Sequence, residues 1–143
     1  MITNERQYKI TRHQLNKIDE AINALKNKIM KAGSKSEILT KAGFDALTSE
    51  RENLANQILE YEKLKSGAVD IFRAATLEEL PKILIEARIA KNFSQRKLAE
   101  LIGVREQQIQ RYEAQQYAIA SFARLAQIAK ALELNITEIA KFE

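Results

Sequence analysis

The sequence predicts an all-α protein, and three observations support that fold class. Glycine and proline are scarce, at four and one in 143 residues, while residues that favour helices are abundant. Apolar residues recur at spacings of three and four over long stretches, which is the period of an α-helix. Good N-cap residues stand just before several of these stretches. We expect a long helical hairpin over residues 1–66, a connector over 67–76 and a smaller helical domain over 77–143.

The first segment carries one narrow apolar stripe, which predicts a long helix. Its members follow spacings of seven, three, four, three and four, and they are Tyr8, Leu15, Ile18, Ile22, Leu25 and Ile29. Thr11 with Gln14 could form a capping box. The helix therefore begins either near residue 4 or anew at residue 12.

A second apolar series follows a break at Ala32-Gly33-Ser34, where Ser34 with Glu37 offers another capping box. This series consists of Phe44, Leu47, Leu54, Ile58, Tyr61 and Leu64. Arg51 occupies the stripe position between Leu47 and Leu54. Two such stripes should pack against each other as a hairpin.

A hairpin of two helices has one buried face, so it is expected to need a partner. Burial at roughly 25 cal/mol per Å² would barely offset the entropy of ordering the chain. The simplest partner is a second copy, which would give a four-helix or coiled-coil dimer, and the alternatives are the C-terminal domain or another protein. The residues expected in this contact are Leu15, Ile18, Ile22, Leu25, Ile29, Leu47, Leu54, Ile58 and Tyr61.

The chain from Ser66 to Ala75 contains Gly67 and is typical of a connection. Thr76 with Glu79 predicts a capping box that opens the next helix. Pro81 is tolerated there because it lies in the first turn. The buried face of this helix is expected to carry Leu80, Ile83, Leu84 and Ala87.

Two further helices are expected near the C-terminus. Ser121 can cap the first, whose apolar residues are Phe122, Leu125, Ile128, Ala129 and Leu132. Asn135 with Glu138 can form a capping box for a short last helix through Ile139 and Phe142.

Residues 94–113, SQRKLAELIGVREQQIQRYE, carry the pattern of two helices that cross at a tight turn. Ser94 is a good N-cap for a helix over residues 95–102, and Gly103 can end it because glycine enters the left-handed region without steric penalty. Ala99 is small enough for the second helix to cross the first there. The apolar residues expected to face one another are Leu98, Leu101, Ile102, Val104, Ile109 and Tyr112. This spacing predicts a helix-turn-helix.

The other face of the second helix is polar and suits the reading of DNA bases. Its residues are Arg105, Glu106, Gln107, Gln108, Gln110 and Arg111. Glutamine can make two hydrogen bonds to adenine, and arginine can make two to guanine. A merely solvated helix is the plainer interpretation, but such faces are usually rich in Lys and Glu, whereas glutamines concentrate here.

Positive charge is focused around this motif. The formal net charge of the chain is +4, and residues 88–124 carry seven basic side chains against three acidic ones. Acidic residues flank this stretch on both sides. Such focusing is expected to hold phosphates on one face and to make affinity fall with salt.

Residues 80–134 resemble the five-helix DNA-binding domain of the lambda, 434 and Cro repressors, the XRE family. The residues that match are Ser94, Gln95, Leu98, Ala99, Gly103, Val104, Ile109, Arg111, Glu113, Leu125, Ile128, Ala129 and Leu132. The family usually has glycine soon after the position of Glu113 and proline before that of Ser121. This chain has Ala114-Gln115-Gln116 and Ala120 there, so the intervening loop is expected to differ.

The resemblance implies a set of DNA contacts. The base-reading residues would be Glu106, Gln107, Gln110 and Arg111. Phosphate or flanking contacts would come from Ser94, Gln95, Arg96, Lys97, Arg105 and Gln108. Tyr117, which follows the second helix, could reach a phosphate or pack inside the domain. Glu106 could accept a hydrogen bond from cytosine, or it could orient a neighbouring arginine.

The expected protein is a homodimeric regulator of double-stranded DNA, and a repressor in the first place. A helical extension before such a domain is also similar to some HigA-type antitoxins, so the alternative is an antitoxin that binds a toxin and represses its own operon. His13 is the one histidine and there is no cysteine, so no enzyme, metal site, cofactor or small-molecule substrate is expected. The chain lacks a signal-like N-terminus and a long apolar run, so a cytoplasmic, nucleoid-associated protein without membrane contact is expected.

Overall fold

The computed structural model describes residues 1–31 and 37–142, and these residues confirm the all-α fold class. Within them there are six α-helices, one short 3₁₀ helix and no strand. The α-helices are α1 (Glu5–Lys31), α2 (Glu37–Lys65), α3 (Leu80–Ala90), α4 (Gln95–Ile102), α5 (Glu106–Ala114) and α6 (Phe122–Ala131). The chain divides into two compact units, Met1–Glu62 and Lys63–Glu143. The expected break at Ala32-Gly33-Ser34, and with it the capping box of Ser34, lies outside the described residues.

Helix α1 begins at its first candidate start and runs without interruption past Thr11. Asn4 caps it, because the Asn4 Oδ1 accepts a hydrogen bond from the backbone N–H of Gln7 at 2.9 Å. Thr11 is buried within the helix, so the alternative start at residue 12 is wrong.

Helices α1 and α2 form the predicted antiparallel hairpin. The rings of Tyr8 and Tyr61 stack with their centroids 5.1 Å apart. Further along, Arg51 Nε lies 2.6 Å from Asp19 Oδ1. The contacts advance along α1 as they retreat along α2, which is the order that an antiparallel pair requires. Arg51 therefore leaves the apolar stripe to pair with an acid of the other helix.

The predicted stripe lies on the inner side of this hairpin. Its most buried members are Ile22, Leu54, Ile58 and Tyr61. Leu15, Ile18, Leu25 and Leu47 are half-buried, and Ile29 is exposed. Cover by a second copy or by another protein stays a prediction.

The second unit has its own core beneath the four helices α3 to α6. The largest side chains buried completely there are Leu84, Ile85, Ile89, Leu98, Ile109, Ile128 and Leu132. Pro81 is the second residue of α3, where its missing N–H costs nothing. The predicted capping box forms differently: Thr76 precedes the 3₁₀ helix Leu77–Glu79 without a side-chain cap, and Glu79 accepts a hydrogen bond from the N–H of Ala75.

The prediction of a short last helix after Asn135 is wrong. Residues 135–142 are not helical, so this domain has four α-helices among the described residues instead of the five expected. Ile139 is 79% exposed and Phe142 is fully exposed. A short helix is stable in water only when its apolar face packs against something, and among the described residues no surface covers these two side chains.

Three helices of the second unit end in left-handed backbone at residues other than glycine. Asn92 follows α3 with φ of 57°, and Glu133 follows α6 with φ of 53°. Two consecutive residues, Gln116 and Tyr117, take φ of 46° and 59° after α5. Left-handed backbone costs roughly 1–2 kcal/mol for a residue with a Cβ atom.

Candidate nucleic-acid interface

The first helix of the predicted motif begins and ends at the expected residues. Ser94 has extended backbone, and its Oγ accepts a hydrogen bond from the N–H of Lys97 at 3.0 Å. This bond satisfies one of the free N–H groups at the start of α4. The cap therefore fixes where α4 begins, and with it where Arg96 and Lys97 stand on the surface.

Gly103 makes the turn between the two helices. Its backbone is left-handed, with φ of 73° and ψ of 34°. The N–H of Val104 then returns to the carbonyl of Ala99 at 3.0 Å, which closes the end of α4. Helix α5 begins three residues after the glycine, at Glu106. Ala99 is buried, as expected for a small residue at the crossing, whereas Leu101 is exposed and does not join the apolar contact.

Helix α5 presents one buried face and one exposed face. Ile109 is completely buried and Tyr112 is half-buried. The four residues expected to read bases are all exposed, and they are Glu106, Gln107, Gln110 and Arg111. One hydrogen bond lies within this set: Gln110 Nε2 donates to Glu106 Oε1 at 3.3 Å. Glu106 therefore contacts a glutamine here, and its two suggested roles, accepting a hydrogen bond from cytosine and orienting a neighbouring arginine, stay predictions.

A buried ion pair anchors α5 to the rest of the domain. Arg88 Nε lies 2.5 Å from Glu113 Oε1, and Arg88 Nη2 donates to Glu113 Oε2 at 2.8 Å. The two side chains are only 2% and 1% exposed. Arg88 Nη1 also donates to the carbonyl of Phe93 at 2.7 Å. This two-pronged geometry ties the end of α5 to α3 and sets the angle at which its polar face is displayed.

Sequence reasoning matched Glu113 to a family pattern but missed its role. A signal was present: Glu113 lies four residues after Ile109, on the same side of the helix, and Arg88 stands between Ala87 and Ile89, both of which are buried. Two opposite charges at core positions of neighbouring helices indicate a buried pair, since a lone buried charge is too costly.

Gln95 is placed differently from the expected phosphate contact. Its side chain is 7% exposed, and its Nε2 donates to Glu113 Oε2 at 2.7 Å. Glu113 thus accepts hydrogen bonds from two other side chains, of α3 and α4. The physical reason for the correction is that a buried carboxylate needs donors, and the amide of Gln95 supplies one. Its side chain orients Glu113 instead of facing solvent.

The position of Tyr117 also differs from that of a phosphate contact. Tyr117 is 2% exposed and stacks on Tyr112, with ring centroids 5.8 Å apart. Burial raises the pKa of the Tyr117 phenol, and the charge of Glu113 adds to that effect. The hydroxyl therefore lies inside the domain and is not a phosphate contact. Of the two roles that the sequence left open, packing is the one observed.

The other flanking residues lie on the surface of the two helices. Ser94, Arg96, Lys97 and Arg105 are exposed, and Gln108 is half-buried. Arg96 Nε lies 3.2 Å from Glu100 Oε1, one turn further along α4. This exposed pair is weak and does not prevent Arg96 from turning to another anion.

Other kinds of site are not found in the part of the chain that the structure describes. There, no group of three or more acidic or imidazole side chains could hold a metal ion. No helix among the same residues is both long enough and apolar enough to cross a membrane.

A core-anchored helix with an exposed polar face, following a capped helix and a glycine turn, defines a helix-turn-helix DNA-binding domain. Comparison with known families agrees. Residues 84–139, less than half of the chain, match the family model described as helix-turn-helix, in agreement with the resemblance to XRE-family domains. The match supports a DNA-binding helix-turn-helix domain over these residues. No curated protein and no solved structure matches the chain significantly.

Proposed function

We propose that the protein is a dimeric, sequence-specific repressor that binds a near-palindromic operator in the cytoplasm, at the nucleoid. The observation that carries the proposal is the exposed row of Glu106, Gln107, Gln110 and Arg111 on α5. All four side chains project from a helix whose far end is held by Glu113 in the core. Base reading needs such rigid placement, because two simultaneous hydrogen bonds to one base tolerate little error.

The flanking contacts divide between α4 and the turn. Lys97 and Arg105 are exposed and form no ion pair among the described residues, so both are open to phosphates. Arg96 and the capped start of α4 at Ser94 lie beside Lys97. These groups would fix the register of α5 in the major groove without reading sequence. Gln95 and Tyr117 are buried, so they are left out of the proposed DNA contacts.

The hairpin of α1 and α2 supports the dimer. Half-buried stripe residues such as Leu15, Ile18 and Leu25 would gain burial against a second copy. Two copies related by a twofold axis would place their α5 helices in successive major grooves, about 34 Å apart. The operator would then consist of two inverted half-sites at that spacing.

The decisive experiment is selection of genomic fragments by the purified full-length protein, followed by binding measurements on the enriched site. We expect enrichment of an inverted repeat. Arg111→Ala is expected to cost about 1–3 kcal/mol of binding free energy and to relax the preference at one position in each half-site. Arg73→Ala, at an exposed arginine outside the domain that matches the family, is the matched control and should leave both unchanged.

Two outcomes would contradict the proposal. Uniform weakening by Arg111→Ala across all sequences would make Arg111 a phosphate contact. Failure of the wild-type protein to enrich any fragment would remove sequence-specific binding altogether.

A second candidate function is an antitoxin that binds a toxin through the hairpin and represses its own operon. The exposed Ile29 and the half-buried Leu25 favour it, because they leave an apolar end of the hairpin for another protein. A neighbouring reading frame for a small basic protein that cannot be expressed alone would support this function. Purification of the full chain as a homodimer that does not bind this small basic protein would support a regulator without a toxin partner.

A further inference from the structure

The solvent side of α1 is a basic face. Five exposed basic side chains and one exposed acid, Glu20, lie on the side of the helix away from the apolar stripe, and the basic ones are Arg6, Lys9, Lys17, Lys28 and Lys31. None of the five forms an ion pair within the described ranges 1–31 and 37–142. The basic residues that do have partners lie elsewhere on the helix: Arg12 donates to the Tyr8 hydroxyl at 3.2 Å. This face of α1 therefore keeps a net positive charge, with five basic side chains against Glu20.

The charge of α1 is unusual for the hairpin as a whole. Helix α1 carries seven lysines and arginines against three acids, namely Glu5, Asp19 and Glu20. Helix α2 has the opposite sign, with exposed Asp45, Glu52 and Glu60 on its outer side. Both helices mix the two signs, but the net charge of α1 is positive and that of α2 is negative. Of the two helices, α1 is therefore the one whose charge suits a negatively charged partner.

The helix-turn-helix motif itself carries a small net positive charge. Residues 94–114 carry four basic side chains against three acidic ones. Proteins that bind DNA tightly commonly neutralise about six to ten phosphates, and this neutralisation supplies much of their affinity. Two copies of the motif would bring eight basic side chains to the operator together with six acids, so basic side chains elsewhere in the chain would add phosphate contacts to a small net charge.

The basic face of α1 has the dimensions of a turn of duplex. From Arg6 to Lys31 the helix rises about 37 Å, at about 1.5 Å per residue. One turn of B-DNA is about 34 Å long. Long flexible lysine side chains can follow a phosphate backbone over that length without a fixed geometry.

We propose that the basic face of α1 binds the phosphate backbone of DNA, adding sequence-independent contacts to those of α5. The inference rests on the proposed function, because it takes duplex DNA as the partner. It assigns the hairpin two surfaces with separate tasks: the apolar stripe for packing and the basic face for DNA.

The test measures how binding depends on salt, using the full-length protein. The variant carries Lys9→Gln with Lys17→Gln, and the matched control carries Lys41→Gln with Lys63→Gln, two exposed lysines of α2. Dissociation constants are measured by fluorescence anisotropy between 50 and 300 mM NaCl, on the selected operator and on a scrambled duplex. Each lost phosphate contact should reduce the slope of log K against log [NaCl] by about 0.9, so the variant, which loses two contacts in each subunit of the dimer, should lose about 3.6 on both duplexes.

The control should keep the wild-type slope, and both proteins should keep the wild-type far-UV circular dichroism. Equal slopes for the wild type and the α1 variant would overturn the inference. So would an equal loss in the control, which would mean that only net charge matters. Loss of binding to phosphatidylserine-containing vesicles, with the DNA slope unchanged, would overturn it in favour of a membrane surface.

Failure of the proposed function is distinguishable from failure of this inference. If the wild-type protein binds operator and scrambled duplex equally, sequence-specific regulation is wrong, yet the slope difference on the scrambled duplex still tests α1. If operator preference is intact and the slopes coincide, the inference alone is wrong.

Discussion

The buried pair of Arg88 and Glu113 makes a quantitative prediction about the stability of the DNA-binding unit. Glu113 accepts two hydrogen bonds from Arg88 and one from Gln95. Glu113→Met would remove all three and leave the guanidinium buried with only the Phe93 carbonyl among these partners. Removing one member of a buried pair costs about 3–5 kcal/mol, a large share of the 5–15 kcal/mol that holds a typical domain folded.

The double variant separates the pair from its surroundings. Arg88→Met with Glu113→Met removes both charges, so no charge is left alone in the core, and apolar side chains of similar size fill the space. We expect it to be more stable than the sum of the two single losses by at least about 2 kcal/mol. Gln95→Ala removes one of the three hydrogen bonds and should lower the free energy of unfolding by about 1–2 kcal/mol. This smaller loss can still be measured if Glu113→Met does not fold.

Amide hydrogen exchange at α4 and α5 is the suitable assay, because it reports the opening of this unit separately from the hairpin. The exposed pair of Lys91 and Glu133 lies in the same unit and provides the control. Lys91→Met should leave protection at α4 and α5 unchanged. Additive losses in the Arg88 and Glu113 cycle, or wild-type protection in Glu113→Met, would refute the argument that this pair anchors α5.

Two other predictions concern the motif. Ser94→Ala should cost about 1 kcal/mol and lower exchange protection in the first turn of α4, whereas Ser94→Thr, which keeps the hydroxyl, should not; equal losses in both would show that the cap bond is unimportant. Glu106→Met should weaken the preference for adenine over guanine at the base that Gln110 is proposed to read, because methionine has no oxygen to accept the hydrogen bond from the Gln110 amide. Glu106 engages one of the two amide hydrogens of Gln110, which leaves one donor and one acceptor, the pair that adenine needs. An unchanged base preference in the selected sites would contradict this role.

The motif could be predicted residue by residue because its signals are local. Ser94 and Gly103 act through the backbone beside them, so the ends of α4 needed no knowledge of the rest of the fold. The hairpin followed from the spacing of its apolar residues, since that spacing fixes which side of each helix is buried. The exposed face of α5 followed in the same way.

Three of the wrong expectations depend on contacts that are distant in sequence. Gln95 and Tyr117 are polar residues near α5, and both are buried in the core that also contains Glu113, to which Gln95 donates a hydrogen bond. The last helix has good local signals in Asn135 and Glu138, but no surface covers its apolar side chains. Local pattern predicts what a segment can form, and only tertiary contacts decide whether it does.

The turn after α5 leaves stabilising free energy unused. The side-chain amide of Asn92 donates a hydrogen bond to the Lys65 carbonyl, and the carboxylate of Glu133 pairs with Lys91. These two contacts offset part of the conformational penalty of left-handed backbone at Asn92 and Glu133. Tyr117 repays its own by filling the core. Gln116 is exposed and has the same left-handed backbone, but no side-chain contact among the described residues offsets its conformational penalty. Gln116→Gly is therefore the substitution in this turn that we expect to stabilise the protein most readily.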